Sequence, residues 1–309
     1  MRIFKYISLV MLLIILSSCQ QEEFISVEML KNKAMGGDKS AIKKLIVLFS
    51  ADDIETKSDA YKAILEVKEG AVETLIEELD SADGDRSEYI IAALGMIRNK
   101  KAVDKIIDVL KSDKGRRYVA AFALGQINDN KGTRALIEAL DDVDAEVKRY
   151  AAISITKNPK GDKSGADKLD VVGELIKFLG RQDVSDKTFA LSVIGELKDK
   201  RAVDAVIKEV DGKFKEQALW ALGKLKDERA VDVIVKKLSH SDWKIRVAAA
   251  RSLGSIHSEK AVAEIEKNLE DENVFVREWA ARALEDITGK DYKYKRENGE
   301  YEIPTSLYR

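Results

Sequence analysis

The chain has 309 residues, of which 45% are hydrophobic, 35% charged and 6% aromatic, and its formal net charge is −2. That much apolar material supports a packed core and excludes global disorder, and the wealth of Lys, Glu, Ala, Leu and Val favours helices over sheets. The absence of a basic excess argues against nucleic acid as a partner, and a single cysteine excludes an intramolecular disulfide.

The N-terminus opens with Arg2 and Lys5, continues in an apolar run from Ile7 to Leu16 broken only by Ser8, and ends in Ser17, Ser18 and Cys19. A basic start, a short apolar centre and small residues at the end form a secretory signal too short for a comfortable membrane span. The ending Leu16-Ser17-Ser18-Cys19 resembles the lipobox of bacterial lipoprotein precursors. The resemblance implies cleavage before Cys19, with residues 1–18 as signal peptide, Cys19 as an acylated lipid anchor and residues 19–26 as a tether. Several acyl chains hold a protein firmly on a bilayer. The protein is then expected on the extracytoplasmic side of a bacterial membrane. Gln20 in place of Asp implies, by resemblance to proteobacterial sorting, an outer membrane facing the periplasm. An ordinary signal peptide or an N-terminal membrane helix with an incidental cysteine is the alternative.

From residue 27 to 290 the chain repeats itself. Val27 to Phe49, with Gly36-Gly37 at its turn, reads as a first unit, and Asp59 to Leu79 as a second, with Glu66 near the place where later units carry glycine. The pattern then becomes regular: SEYIIAALGMI from Ser87, RYVAAFALGQI from Arg117, KTFALSVIGEL from Lys187, EQALWALGKL from Glu216, RVAAARSLGSI from Arg246 and REWAARALEDI from Arg277. A second pattern follows most of them, as in AVDKIIDVL from Ala102 and AVDVIVKKL from Ala230. Gly95 and Gly125 stand 30 residues apart, Gly195 and Gly223 28, and Gly254 follows 31 later; Thr156 and Glu285 take the glycine position in two units. Apolar residues at helical spacing predict two helices per unit, with Ile245, Ala249, Ser252, Leu253 and Ile256 on one buried face and Ala102, Val103, Ile106, Ile107 and Leu110 on another. Asp144, Asp242 and Asn273 read as N-caps, and the glycine as the residue that permits a tight turn after the first helix. The polar stretch 157–167 reads as an inserted loop. Residues 291–309 read as a short hairpin or loose cap.

The pattern V-R-x-x-A-A-x-A-L-G-x-I followed by A-V-x-x-L-x-x-x-L resembles the short HEAT-like repeat of the phycobilisome-lyase type, over about Asp59 to Ile287. The resemblance implies an all-α right-handed alpha-alpha superhelix, here of about eight helical hairpins.

Catalytic chemistry finds little support. Deoxyhypusine hydroxylase, an iron enzyme of the same repeat class, takes its ligands from His-Glu pairs, whereas His240 and His257 are each followed by serine. No residue set points to a bilin lyase. The cysteine is consumed by the anchor, and His257 beside Ser258 in a turn is no nucleophile-base pair. Gly37-Asp38-Lys39-Ser40 and Gly161-Asp162-Lys163-Ser164 lack the phosphate-loop spacing. Asp80, Asp83, Asp85 and Glu88 miss the calcium-loop pattern and read as a solvated turn. No catalytic residue, metal site or cofactor is expected.

A helical stack offers long surfaces for binding. In such repeats the second helices line the concave side, and one column along them runs Glu77, Asp108, Glu138, Lys177, Lys208, Lys236 and Lys267. Acids followed by lysines make a bipolar groove for a protein or peptide partner. A neighbouring column holds Glu73, Asp104, Arg134, Gly173, Asp204, Asp232 and Ala263. The plainer alternative is a solvated face with pairs such as Asp204–Lys208 and Asp232–Lys236 at i, i+4, although Glu73–Glu77 and Asp104–Asp108 are like-charged at that spacing. On the first helices Phe122, Ile153 and Trp220 stand where polar residues are expected, as an apolar surface candidate. The reading is a lipid-anchored scaffold. A cofactor-binding or enzyme-accessory protein, and a structural envelope protein, remain as alternatives.

Overall fold

The computed structural model describes residues 26–82, 84–112, 116–160 and 169–304. Cys19, residues 1–18 and most of the 157–167 stretch lie outside these residues. The chain divides into two compact units, up to Ala93 and from Leu94 on.

The first unit holds α1 (Val27–Met35), α2 (Lys39–Val47), α3 (Ile54–Val67), α4 (Val72–Leu79) and the start of α5 (Gly84–Ile97). Ser26, Asp38 and Asp53 cap its helices by accepting backbone N–H bonds. Its core gathers Ile42, Leu45, Phe49, Ile64 and Leu75, with Phe49 5.4 Å from the ring of Tyr89.

The second unit continues with α6 (Val103–Lys111), α7 (Arg117–Ile127), α8 (Asn130–Glu138), α9 (Ala145–Lys157), α10 (Val171–Gly180), α11 (Thr188–Leu197), α12 (Val203–Ile207), α13 (Lys215–Leu225), α14 (Val231–Val235), α15 (Trp243–Ile256), α16 (Val262–Lys267) and α17 (Val274–Thr288). First helices pack on first helices in the series α7, α9, α11, α13, α15, α17, so each repeat covers its neighbour. A two-stranded antiparallel hairpin, β1 (Tyr294–Lys295) and β2 (Tyr301–Glu302), follows α17, and Arg277 Nε donates to Lys295 O at 2.6 Å. Both units are all-α in class, and among the described residues eight helical hairpins precede α17.

Local chemistry explains the boundaries. Asp144, Asp242 and Asn273 each accept the N–H two residues on, at 2.8, 2.9 and 3.0 Å. The repeat glycine, however, does not make the turn. It lies inside the first helix, and the left-handed residue comes three positions later, at Arg98, Asn128, Lys198, Lys226 and His257. The glycine is required by the neighbouring helix instead. A Cβ on Gly95 would stand 2.7 Å from Cα of Ala123, and one on Gly254 2.9 Å from Cα of Ala283. Ser252 closes its seam by donating to Leu219 O at 2.7 Å.

Three of these seams also carry an ion pair of one kind. A cation near the start of a first helix meets an acid from just before the next: Arg117–Asp142 at 2.6 Å, Lys148–Asp186 at 2.6 Å and Arg246–Asp271 at 2.8 Å. The acid offsets the poor placement of a cation at the positive end of a helix. Burial opposes ionisation of Asp186, yet the Lys148 ammonium and the Thr188 N–H outweigh it and hold its carboxyl below the usual range.

Candidate functional site

Amphipathic second helices bury Val103, Ile106 and Leu110, or their equivalents, against the first-helix layer and turn the opposite side to solvent. All seven residues of the acid-to-lysine column are exposed. Glu77 belongs to the first unit. Asp108, Glu138, Lys177, Lys208, Lys236 and Lys267 follow on α6, α8, α10, on or just past α12 and α14, and on α16 of the second.

Their partners differ. Glu138 pairs with Arg181, which also holds Asp183, and Lys177 pairs with Glu174 at 3.0 Å. Lys267 pairs with Glu264 at 2.7 Å. Among the described residues no ion pair engages Asp108, Lys208 or Lys236. These three are the charges most available to a ligand.

The neighbouring column behaves otherwise than its spacing predicts. Asp204 turns away from Lys208 and pairs with Arg229 of the next repeat at 3.0 Å, and Asp104 pairs with Lys131 in the same manner. Arg201 spans Asp170 at 3.0 Å and Asp199 at 2.8 Å, and these contacts lower both carboxyls. For Asp170 the Gly173 N–H is the larger influence. This column ties repeats together, which removes the like-charge conflict of Asp104 with Asp108.

The apolar candidates need correction. Phe122 and Trp220 are half-buried, because each ring fills the junction with an adjacent first helix. Phe122 lies 6.4 Å from Tyr150, and Trp220 rests against Gly195, where a Cβ would approach within 2.7 Å of the indole. Ile153 is exposed, at 40%. Phe122 and Ile153 share a cavity of about 360 Å³ with Arg98, Gln126, Asn128, Lys157 and Asn158, while Trp220 lines another.

Two features escaped sequence reading. Trp243 and Phe275 stack at 5.6 Å while remaining exposed, and Arg251 and Arg282 both lie over Trp279. The first pair stands at two successive helix starts, one position out of register with each other, so column reading does not align them. Among the described residues no group of His, Cys, Asp and Glu is arranged to hold a metal ion, and no helix is long and apolar enough to cross a membrane. His240 Nδ1 accepts the Asp242 N–H at 3.0 Å, a structural role in a helix-capping turn.

The model of HEAT repeats matches residues 72–156 and 205–285. A search of curated proteins found no match. Among solved structures, Kap121p bound to Pho4p is similar with a TM-score of 0.61 and 13% identity, over 84% of this chain and 35% of that one. An engineered protein aligns at 21% identity over 84% of both chains with a TM-score of 0.41. Human deoxyhypusine hydroxylase in complex with glycerol aligns at 18% over 84% of this chain and 99% of its own, with a TM-score of 0.35. The chain thus spans about a third of Kap121p, and that likeness concerns the fold. Since the repeat model covers more than half of the sequence and its matched segments coincide with the stacked hairpins, this chain belongs to the HEAT-repeat family.

Proposed function

We propose that this chain is a non-catalytic scaffold that binds a protein or peptide along its second-helix face. The observation that carries the reading is the exposed column of the second unit, where Asp108 stands toward one end and Lys208 and Lys236 toward the other without ion-pair partners. An ordered change of sign along a surface steers encounter and fixes the orientation of a charged partner. Kap121p, similar in fold, is bound to Pho4p. A chain laid along successive second helices places basic residues near Asp108 and acidic residues near Lys208 and Lys236. Glu138 contributes less, because Arg181 already neutralises it.

The scaffold acts on the extracytoplasmic side of a bacterial membrane, held there by lipid on Cys19. The support is the sequence from Arg2 to Cys19 and its lipobox-like ending. Cys19→Ser is expected to abolish labelling by a fatty-acid analogue and to release the protein from membranes or block its processing. Undiminished labelling contradicts the anchor.

For the groove, crosslinking in intact envelopes followed by purification is expected to recover a stoichiometric partner. Asp108→Lys combined with Glu138→Lys is expected to lose it. Recovery of the same partner from this double reversal refutes the groove.

A further inference from the structure

On the outward side of the first helices of the second unit lies a row of rings and cations that the charge columns do not use. Arg251 of α15 lays its guanidinium over the Trp279 ring of α17, 4.5 Å from the centroid, and Arg282 reaches the same ring at 5.3 Å. Lys224 of α13 stands 5.3 Å from the centroid of Trp220. Between α13 and α15 a cavity of about 250 Å³ is lined by Trp220, Gly223, Lys224, Arg251, Ser252 and Ser255, and no carboxylate reaches it.

The two guanidiniums on Trp279 differ in one respect. Arg282 grips a carboxylate of its own helix, its Nη2 and Nε donating to Glu278 Oε1 at 2.7 and 3.2 Å. Arg251 is exposed and pairs with no carboxylate among the described residues. Stacking on an indole fixes the plane of a guanidinium and leaves its fork of donors free at the edge, a shape that matches the two oxygens of a carboxylate. Lys224 adds a second positive charge, partly shared with Glu196 at 3.5 Å. The indoles already carry cations, so they serve to hold charge in place and not to stack a sugar ring.

We propose that this row is a second binding site, which takes an acidic peptide. Arg251 receives a glutamate or aspartate carboxylate, Lys224 strengthens the field, and the cavity beside Trp220 admits a neighbouring apolar side chain. The site is on the first-helix layer and does not depend on the second-helix groove.

The site's own indoles supply a local readout. The chain has three tryptophans, and Trp243→Phe leaves Trp220 and Trp279, both within the proposed site, as the sources of indole emission. In that background, titration with a peptide of alternating glutamate and leucine is expected to change the emission saturably, whereas the glutamine counterpart does not. Arg251→Gln is expected to weaken the response about tenfold or more, equivalent to about 1.4 kcal/mol. Lys208→Glu with Lys236→Glu is expected to leave it unchanged, which separates this site from the groove. An undiminished response in Arg251→Gln, equal responses to both peptides, or the same response to inorganic phosphate at equal concentration overturns the proposal. Unchanged far-ultraviolet circular dichroism of Arg251→Gln shows that a lost response is not unfolding.

Discussion

The seam between α15 and α17 and the outer flank of α17 present the same repeat position in two settings. In the seam the position is Gly254, pressed so closely against Ala283 that no side chain fits. On the outer flank it is Glu285, half-buried, with the N–H of Tyr292 3.5 Å from its Oε1. Among the described residues no further first helix packs on α17, so the demand for a bare backbone lapses there. The repeat glycine therefore reports a close approach of the next first helix, although Thr156 holds its place in α9, which still packs on α11. A terminal repeat in a solenoid is free to carry a polar outer face for the same reason.

The largest expected effect breaks the charged part of a seam. Arg246 and Asp271 are almost buried, with side chains 8% and 10% exposed. Asp271→Ala leaves the guanidinium without its main partner and is expected to lower unfolding stability by about 3 kcal/mol, measured by urea denaturation. A loss below about 1 kcal/mol would place the seam's strength in its apolar contacts alone.

Steric closure comes next. Gly95→Val forces a branched side chain onto the backbone of Ala123 and is expected to cost about 2–3 kcal/mol. Glu285→Val on the outer flank is expected to change stability by less than about 1 kcal/mol. Equal costs at the two positions would mean that the glycine serves its own helix and not the neighbour.

Titration sharpens the contrast at Glu285 itself. Burial, followed in weight by the opposing Tyr292 N–H, pushes its carboxyl above the usual range. The folded state thus prefers the neutral acid. That preference is fully present below the ordinary glutamate value and is lost as pH rises through the elevated one. Glu285→Gln is accordingly expected to raise Tm at pH 7, with the gain shrinking as pH falls toward 4. A constant difference across this range would assign the effect to packing.

The smallest expected effect on stability lies on the second-helix face. Lys208→Glu with Lys236→Glu is expected to leave stability within about 0.5 kcal/mol of the parent, because neither lysine takes part in a seam.

Much of the architecture is legible before any coordinates. Glycine spacing gives the period, Asp144, Asp242 and Asn273 cap the helices they precede, and the buried faces of α6 and α15 follow helical spacing. The glycine's place near a helix end mimics a C-cap, while the steric constraint on it comes from a residue about thirty positions away in another helix. Asp204 departs from its local spacing for a related reason. Local i, i+4 spacing offers Lys208, but the fork of Arg229 from the next repeat reaches it first. Phe122 and Trp220 looked exposed because a helix that packs against two neighbours and its own hairpin partner buries more than one face. The seven column residues are exposed, since second helices contact the core along a single stripe. Which of its charges remain unpaired depends on side chains such as Arg181, just beyond a helix end, where periodicity carries no information.

The account turns on which face meets the partner. A photo-crosslinking residue placed singly at Asp108, Lys208 and Lys236, with controls at Ile153 and Ser192 on the first helices, tests it in intact envelopes. The account predicts one common crosslinked partner from the three second-helix positions and none of it from the two controls. Crosslinks to that partner from Ile153 or Ser192, with none from Asp108, Lys208 and Lys236, would contradict it.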